Sequence, residues 1–273
     1  MTETNSIAIY GTPNYLAIKN KHDRDQYISF EEGPHIYTVC GERGVYTSVT
    51  TWNHHHFSPF NADDVIKNIV KSNKWNSDPN YKYYKMTPEE IKNSWNSKRD
   101  NASSSGTKMH NDIELFYNGV NVINHSVEFQ YFRNFIQDFP NLKPYRTEWM
   151  VYYEEIKLSG SIDMVYENPD GTLLIYDWKR CQEITFESAF DKYANTTCIS
   201  HLPDTNFWHY ALQLNMYKTI LEHKYNKTIV GLFLVCMHPD NKYKNYQCIQ
   251  VPYLLDEMAD LVQLRLQEVA NSK

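Results

Sequence analysis

Residues 160–179 read GSIDMVYENPDGTLLIYDWK. Two alternating apolar runs flank Asn168-Pro169-Asp170-Gly171, a tight-turn signal. A hairpin closed near 169–170 pairs residues whose numbers sum to about 339–340, so Asp163 falls opposite Tyr176 or Asp177. Cross-strand neighbours sit about 5 Å apart at Cβ, so the two carboxylates come close. Asp177 and Lys179 are i, i+2 on one strand and share a face. Two carboxylates and an ammonium on one sheet face are costly unless something uses them, and a hard divalent cation would. Mg²⁺ takes one or two carboxylates plus waters and substrate phosphate. The lysine can then orient or deprotonate an attacking water and neutralise charge on the phosphate. A strand Asp beside a strand Lys is more commonly a surface salt bridge, but this Asp ends the apolar run LLIY, where a solvated pair has little reason to sit. Gly160 lets a backbone or ligand approach the second acid closely.

Outward from this hairpin, TEWMVYY at 147–153 reads as a third strand of an antiparallel meander. A long helix is expected at 206–225, a buried strand in TIVGLFLVCM, another in YQCIQV, and a closing amphipathic helix at 254–270. Upstream, QYISF and HIYTVCG alternate as short strands, and Ser58 or Asn61 is placed to cap a helix that begins near Asp63 and Asp64. TPEE at 87–90 is a helix start, and helices are expected at 104–117 and 127–139. The expected fold class is α/β (α+β): a central mixed sheet flanked by helices, with an N-terminal helical arm. Residues 1–105 are read as N-terminal strands with a basic, aromatic helical subdomain, and 106–273 as the core.

The chain has 273 residues, 15% of them aromatic, and a formal net charge of -6. It is too aromatic for disorder. With no run of about 18 apolar residues, no membrane-spanning helix and no membrane partner are expected. The opening MTETNS resembles neither a secretory signal nor a transit peptide. Five widely spaced cysteines, with no CxxC, suit free thiols in a reducing intracellular compartment rather than secretion. Twenty Lys against seven Arg, with many Asn, Ile and Tyr, hint at an A+T-rich genome, and a large DNA virus is one such source.

Four motifs in order carry a family resemblance: Gly106-Thr107-Lys108-Met109-His110, Gly160-Ser161-Ile162-Asp163, Asp177-Trp178-Lys179 and Gln213-Leu214-Asn215-Met216-Tyr217. Together they resemble the RecB-like exonuclease branch of the PD-(D/E)XK nuclease superfamily, to which the mitochondrial genome maintenance exonucleases and similar viral proteins belong. The resemblance implies a restriction-endonuclease-like core and a Mg²⁺- or Mn²⁺-dependent deoxyribonuclease with one or two ions. Asp163, Asp177, the Trp178 main-chain carbonyl and His110 would hold the metal, and Lys179 would be the catalytic lysine. Gln213 and Tyr217, at i and i+4 on one helix face, would steady the site or the scissile phosphate. Glu114, four residues after His110, would orient it, and Glu148 is a further acid near the site. Some relatives hold an iron–sulfur cluster with three closely spaced late cysteines; Cys236 and Cys248 supply no such trio, so no cluster is expected. The run His54-His55-His56 cannot direct three side chains at one ion and reads as loop.

The net charge argues against nucleic acid at face value, but residues 67–108 carry nine Lys/Arg against four acids. Lys71, Lys74, Lys82, Lys98, Arg99 and Lys108 would follow phosphates, while Trp75 and Tyr84 would stack bases of a single strand. The other reading of this stretch is a solvated face with its aromatics in a small local core. The expected function is exonucleolytic hydrolysis of single-stranded DNA in repair, recombination or replication. The alternatives are an RNA endonuclease of the cap-snatching type and a catalytically inactive nucleic-acid-binding fold.

Overall fold

The computed structural model describes residues 8–272. In chain order the first elements are α1 (Tyr15–Lys19), β1 (Ile28–Glu31), β2 (Ile36–Val39), β3 (Glu42–Arg43), β4 (Thr47–Ser48) and α2 (Val49–His54). Then come α3 (Ala62–Lys71), α4 (Asn73–Ser77), α5 (Pro88–Tyr117) and α6 (Val127–Asp138). The remainder is β5 (Lys143–Tyr153), β6 (Leu158–Glu167), β7 (Leu173–Lys179), α7 (Asn206–Lys224), β8 (Ile229–Cys236), β9 (Gln247–Gln250) and α8 (Leu255–Asn271). Two compact units result, Met1–Phe57 with Met109–Lys273, and Ser58–Lys108. The boundary falls inside α5, and the N-terminal strands belong with the core rather than with the basic stretch, unlike the expected division at 105/106.

In the larger unit β1, β2 and β3 form a small antiparallel sheet. The central sheet is mixed: β5, β6 and β7 are an antiparallel meander, β8 lies parallel to β7, and β9 closes antiparallel on β8. α7 connects β7 to the parallel β8, as a parallel pair requires. The turn register is the expected one: Met164 faces Tyr176 and Glu167 faces Leu173, each summing to 340.

Helices cover both faces of the sheet, and the side-chain alternation of β7 shows it. Tyr176 and Trp178 pack with Phe129, Phe132 and Phe135 of α6 and with Met109 and Ile113 of α5. Leu173 and Ile175 pack with Leu212, Leu214 and Met216 of α7. Much of the aromatic content goes into the first cluster, where Phe132 and Phe135 meet Trp178 edge-on at 5.9 and 5.5 Å.

β6 departs from this regularity. Ile162 and Met164 are two residues apart, so a flat strand would put them on one face. Instead Ile162 packs in the α7 cluster and Met164 in the α6 cluster. The change of face falls at Asp163. Opposite it on β5 stands Glu148, between the pairs Thr147–Met164 and Trp149–Ile162, with a left-handed φ of +41°. On its other side β6 pairs with β7 only from Met164 to Glu167 and with β4 only at Leu158 and Ser159, leaving Gly160–Asp163 without a strand there.

In the smaller unit Asn61 caps α3, accepting from the backbone N–H groups of Asp63 and Asp64. α5 is a single helix of 30 residues rather than one starting near Ser104. Thr87 and Glu90 begin it as a reciprocal capping box, and Gly106 does not interrupt it.

One residue of the last sequence motif proves structural. Asn215, 1% exposed, donates to the carbonyls of Ala211 and Pro252 and accepts from the Leu254 N–H, tying α7 to the segment entering α8. Asn215→Ala should therefore cost roughly 2–3 kcal/mol in urea unfolding, because it strands buried backbone groups. A loss under half a kcal/mol would refute this role.

Candidate functional site

The site sits where β6 changes face. Past the last β6–β7 pair the Asp163 carboxylate takes over from the ladder, its Oδ2 accepting the Trp178 N–H at 2.9 Å. Continuing the register places Asp177 opposite Asp163. Trp178 is locked in the aromatic cluster, so its neighbours Asp177 and Lys179 share the other face. Lys179 Nζ lies 2.7 Å from Asp177 Oδ2, a close and buried ion pair. The ammonium also stands 4.7 Å over the Tyr210 ring.

His110 comes from α5. Its Nδ1 is 3.5 Å from Asp163 Oδ2 and 3.7 Å from Glu148 Oε1. Ser161 steadies Glu148 by donating to Oε2 at 2.9 Å. His110, Glu148 and Asp163 each offer a ligand atom, and these atoms lie within 4.8 Å of one another. From α7, Gln213 Nε2 reaches Asp177 Oδ1 at 3.4 Å. Tyr217 fills the open edge of β6, so close to Gly160 that an added Cβ would lie 2.8 Å from its ring.

The electrostatics follow from burying several acids together. Burial, with Asp163 adding to it and Lys179 opposing, pushes Asp177 up to about 6. Asp163 is raised by burial and by Glu148, against the pull of His110. Burial disfavours charge on His110, but Asp163 and Glu148 outweigh it and lift it to about 9. Lys179 is likewise raised against its burial, by Asp177 and Asp163. The group thus holds protons in place of some other positive charge. Two carboxylates and one imidazole fit a small divalent ion. The nitrogen donor favours Mn²⁺ over Mg²⁺ within that class.

The sequence-derived set is therefore brought together for His110, Asp163, Asp177, Lys179, Gln213 and Tyr217. Glu148 is itself one of the three residues whose atoms converge, beside His110 and Asp163. Its neighbour Ser161 was not singled out; its place inside the GSID motif was the available signal. The observed contact of Trp178 to the group is its N–H, donated to Asp163. Glu114 makes no hydrogen bond to His110 among the described contacts; it feels Glu148 instead. Of the three histidines, His54 is the last residue of α2, while His55 is its C-cap and His56 lies in the turn beyond, where it is buried and bonds Thr196 through Nδ1 at 2.8 Å.

In the smaller unit Lys71, Lys74, Lys82, Lys98, Arg99 and Lys108 are exposed. Arg99 pairs with Asp100. Trp75 and Tyr84 are half-buried, and the Trp75 indole donates to the Met86 carbonyl at 2.9 Å. Trp95 donates to the Tyr83 hydroxyl at 2.8 Å. These aromatics help build the unit.

No protein-family model matches the chain, and no curated protein matches it in sequence. Among solved structures it is similar to a candidate exonuclease from Eubacterium rectale, at 7% identity over 83% of this chain and 79% of that one, with a TM-score of 0.36. It is also similar to the protein SSO0001, at 16% identity over 63% of this chain and 68% of that one, with a TM-score of 0.28. Likenesses this slight carry no weight for function, which has to be read from the residues.

Two outcomes test the geometry. Gly160→Ala should cost about 1–3 kcal/mol of stability through its clash with Tyr217; a neutral result in denaturant unfolding would contradict the packing. Glu114 is raised to about 7, first by burial and then by Glu148, from an ordinary 4.5. Between those values the folded chain keeps a proton that the unfolded chain has released, so stability falls as pH rises through the window. Glu114→Gln should thus raise the melting temperature at pH 8 in EDTA and leave it unchanged at pH 4.

Proposed function

We propose that the chain is a metal-dependent nuclease that hydrolyses phosphodiester bonds. The observation that carries the reading is the convergence of His110, Glu148 and Asp163 beside the buried pair Asp177–Lys179, at an open edge of the central sheet. Three acids, Asp177 buried and Asp163 and Glu148 partly exposed, facing one Lys and one His are short of positive charge, and a divalent cation would supply it. The order of the four sequence motifs supports the finer class, an exonuclease of the RecB-like branch acting on single-stranded DNA in repair, recombination or replication. The Trp178 carbonyl and the Asp177 carboxylate are proposed as further groups that would hold the ion. The five free thiols suit a reducing compartment.

A divalent ion held here would polarise the phosphate and lower the pKa of a bound water. The protein's own residues do the rest. Asp163, fixed by the Trp178 N–H, and Glu148, fixed by Ser161, hold the ligand geometry. Lys179 stays charged while carboxylates face it, so it neutralises charge developing on the phosphate and orients the attacking water. Gln213 keeps Asp177 in place, and Tyr217 closes the edge beside Gly160. The exposed cations of residues 58–108 are proposed to hold the strand by its phosphates.

End-labelled single- and double-stranded DNA, incubated with Mg²⁺, Mn²⁺ or EDTA, tests the proposal. The expected result is stepwise shortening that needs the ion, is at least as fast in Mn²⁺, and stops when the end is blocked. Asp163→Ala, Asp177→Ala and Lys179→Ala should each lower the rate by at least about a hundredfold. Cleavage that persists in EDTA or in Asp177→Ala would sink the metal mechanism. Cleavage of RNA alone would select the cap-snatching type, and binding without cleavage by the intact chain would select an inactive fold.

A further inference from the structure

The larger unit holds a second concave site that none of the residues above line. A cavity of about 700 Å³ opens at the end of α5, between its last turn, α1 and α6. That volume lies within the range of small-molecule sites. It is a built feature. Buried Asn118 accepts the Leu16 N–H through Oδ1 and the Gly11 N–H through its carbonyl, so residues 11–16 are fastened to the end of α5. The Tyr10 ring lies directly on Gly119, where any Cβ would collide with it, and meets Tyr15 edge-on at 5.3 Å. Tyr10 is nevertheless 70% exposed: an aromatic face held in place with little covering it.

The chemistry of the lining is one-sided. Lys19, Arg133 and Lys143 line the cavity, and among the described residues no Asp or Glu does. In a chain of net charge -6 that is a local reversal. Lys143 is paired with Glu167 outside the lining. Lys19 and Arg133 have no carboxylate partner among the described contacts; they stand over the rings of Tyr15 and Phe129 at 5.4 and 5.3 Å. Asn121 and Gln137 add amides, which both donate and accept.

We propose that this cavity binds a nucleotide: the base against the Tyr10 ring, its edge read by the Asn121 and Gln137 amides, the phosphate held by Lys19 and Arg133. Each part of the lining matches one part of that ligand. A planar body needs an exposed aromatic face, a base edge needs paired donors and acceptors, and a phosphate needs cations without competing acids. The nucleotide can be free or one residue of a single strand. Tyr117, which lines the cavity, is seven residues beyond His110 on the same helix, about 10 Å along its axis. A strand seated here would thus have its end near the catalytic group.

Binding is measured without catalysis, in EDTA, by calorimetry with dAMP and with a ten-nucleotide oligo-dA. Either probe should bind the intact chain. Tyr10→Ala should weaken it about tenfold, Tyr10→Phe should restore it, and Lys19→Ala with Arg133→Ala should weaken it about tenfold or more. All three positions changed in the cavity lie at its exposed rim, and unchanged melting temperatures check that the variants fold. Asp177→Ala should bind as the intact chain does, which separates this cavity from the candidate active site. Equal binding of dAMP and the oligonucleotide identifies a free nucleotide as ligand; binding of the oligonucleotide alone identifies a strand. The proposal is overturned if neither probe binds, or if the Tyr10→Ala and Lys19→Ala/Arg133→Ala proteins bind as the intact chain does. Ion-dependent cleavage alongside that result would leave the nuclease reading standing.

Discussion

Strand β6 cannot stay flat past Asp163, and the candidate site depends on that one break. On one side Glu148 stands opposite in a left-handed conformation that costs a non-glycine residue of order 1 kcal/mol or more. On the other side β7 has stopped pairing and β4 has not begun. A continuous sheet would keep the α5–α6 layer and the α7 layer on opposite faces, out of each other's reach. The break lets His110 of one layer and Gln213 and Tyr217 of the other approach neighbouring carboxylates. The unpaired edge is filled by side chains instead of a strand: Tyr217 against Gly160, and the Asp163 carboxylate on the Trp178 N–H.

That geometry sets the electrostatics. Acids on a solvated sheet face would ionise freely. Here Asp177 is 2% exposed, and burial raises it despite an adjacent ammonium. Removing water also strengthens the mutual repulsion of Asp163, Glu148 and Asp177, so each positive group nearby is drawn toward its charged form. His110 and Lys179 both respond in this way. The arrangement is poor as a stabilising salt-bridge network, because three carboxylates share one ammonium and one imidazole. It makes sense as a site kept short of cations.

The sequence made the meander legible because its signals are local. Asn168-Pro169-Asp170-Gly171 fixes the turn, the turn fixes the register up to Met164–Tyr176, and one step further along it Asp163 comes beside Asp177. The D-x-K spacing then fixes the shared face of Asp177 and Lys179. What could not be read was set by long-range packing. Nothing in TEWMVYY marks Glu148 as left-handed; that φ accompanies the change of face at Asp163 opposite it. The helix start read at Thr87–Glu90 holds, but it runs on without a break into the helix expected from Ser104, Gly106 costing only about 1 kcal/mol inside it. Asn215 sits in a motif read for its flanking Gln213 and Tyr217, and only the chain returning at Pro252–Leu254 reveals that it is a tether.

The aromatic share sharpens the same point about residues with two possible uses. A tyrosine or tryptophan in the sequence is equally a core residue or a stacking surface, and burial of its polar atom helps tell them apart. Trp75 and Trp95 give their indole N–H groups to Met86 and Tyr83, so each is oriented by its own unit. Trp178 and the phenylalanines of α6 are enclosed. Tyr10 is the opposite case: fastened by Asn118 and Gly119 behind it, yet open in front. Ordering a side chain costs entropy, and an exposed ring recovers little of that cost by burial. A ring that is both fixed and uncovered is therefore better explained by what it can receive than by the fold it belongs to.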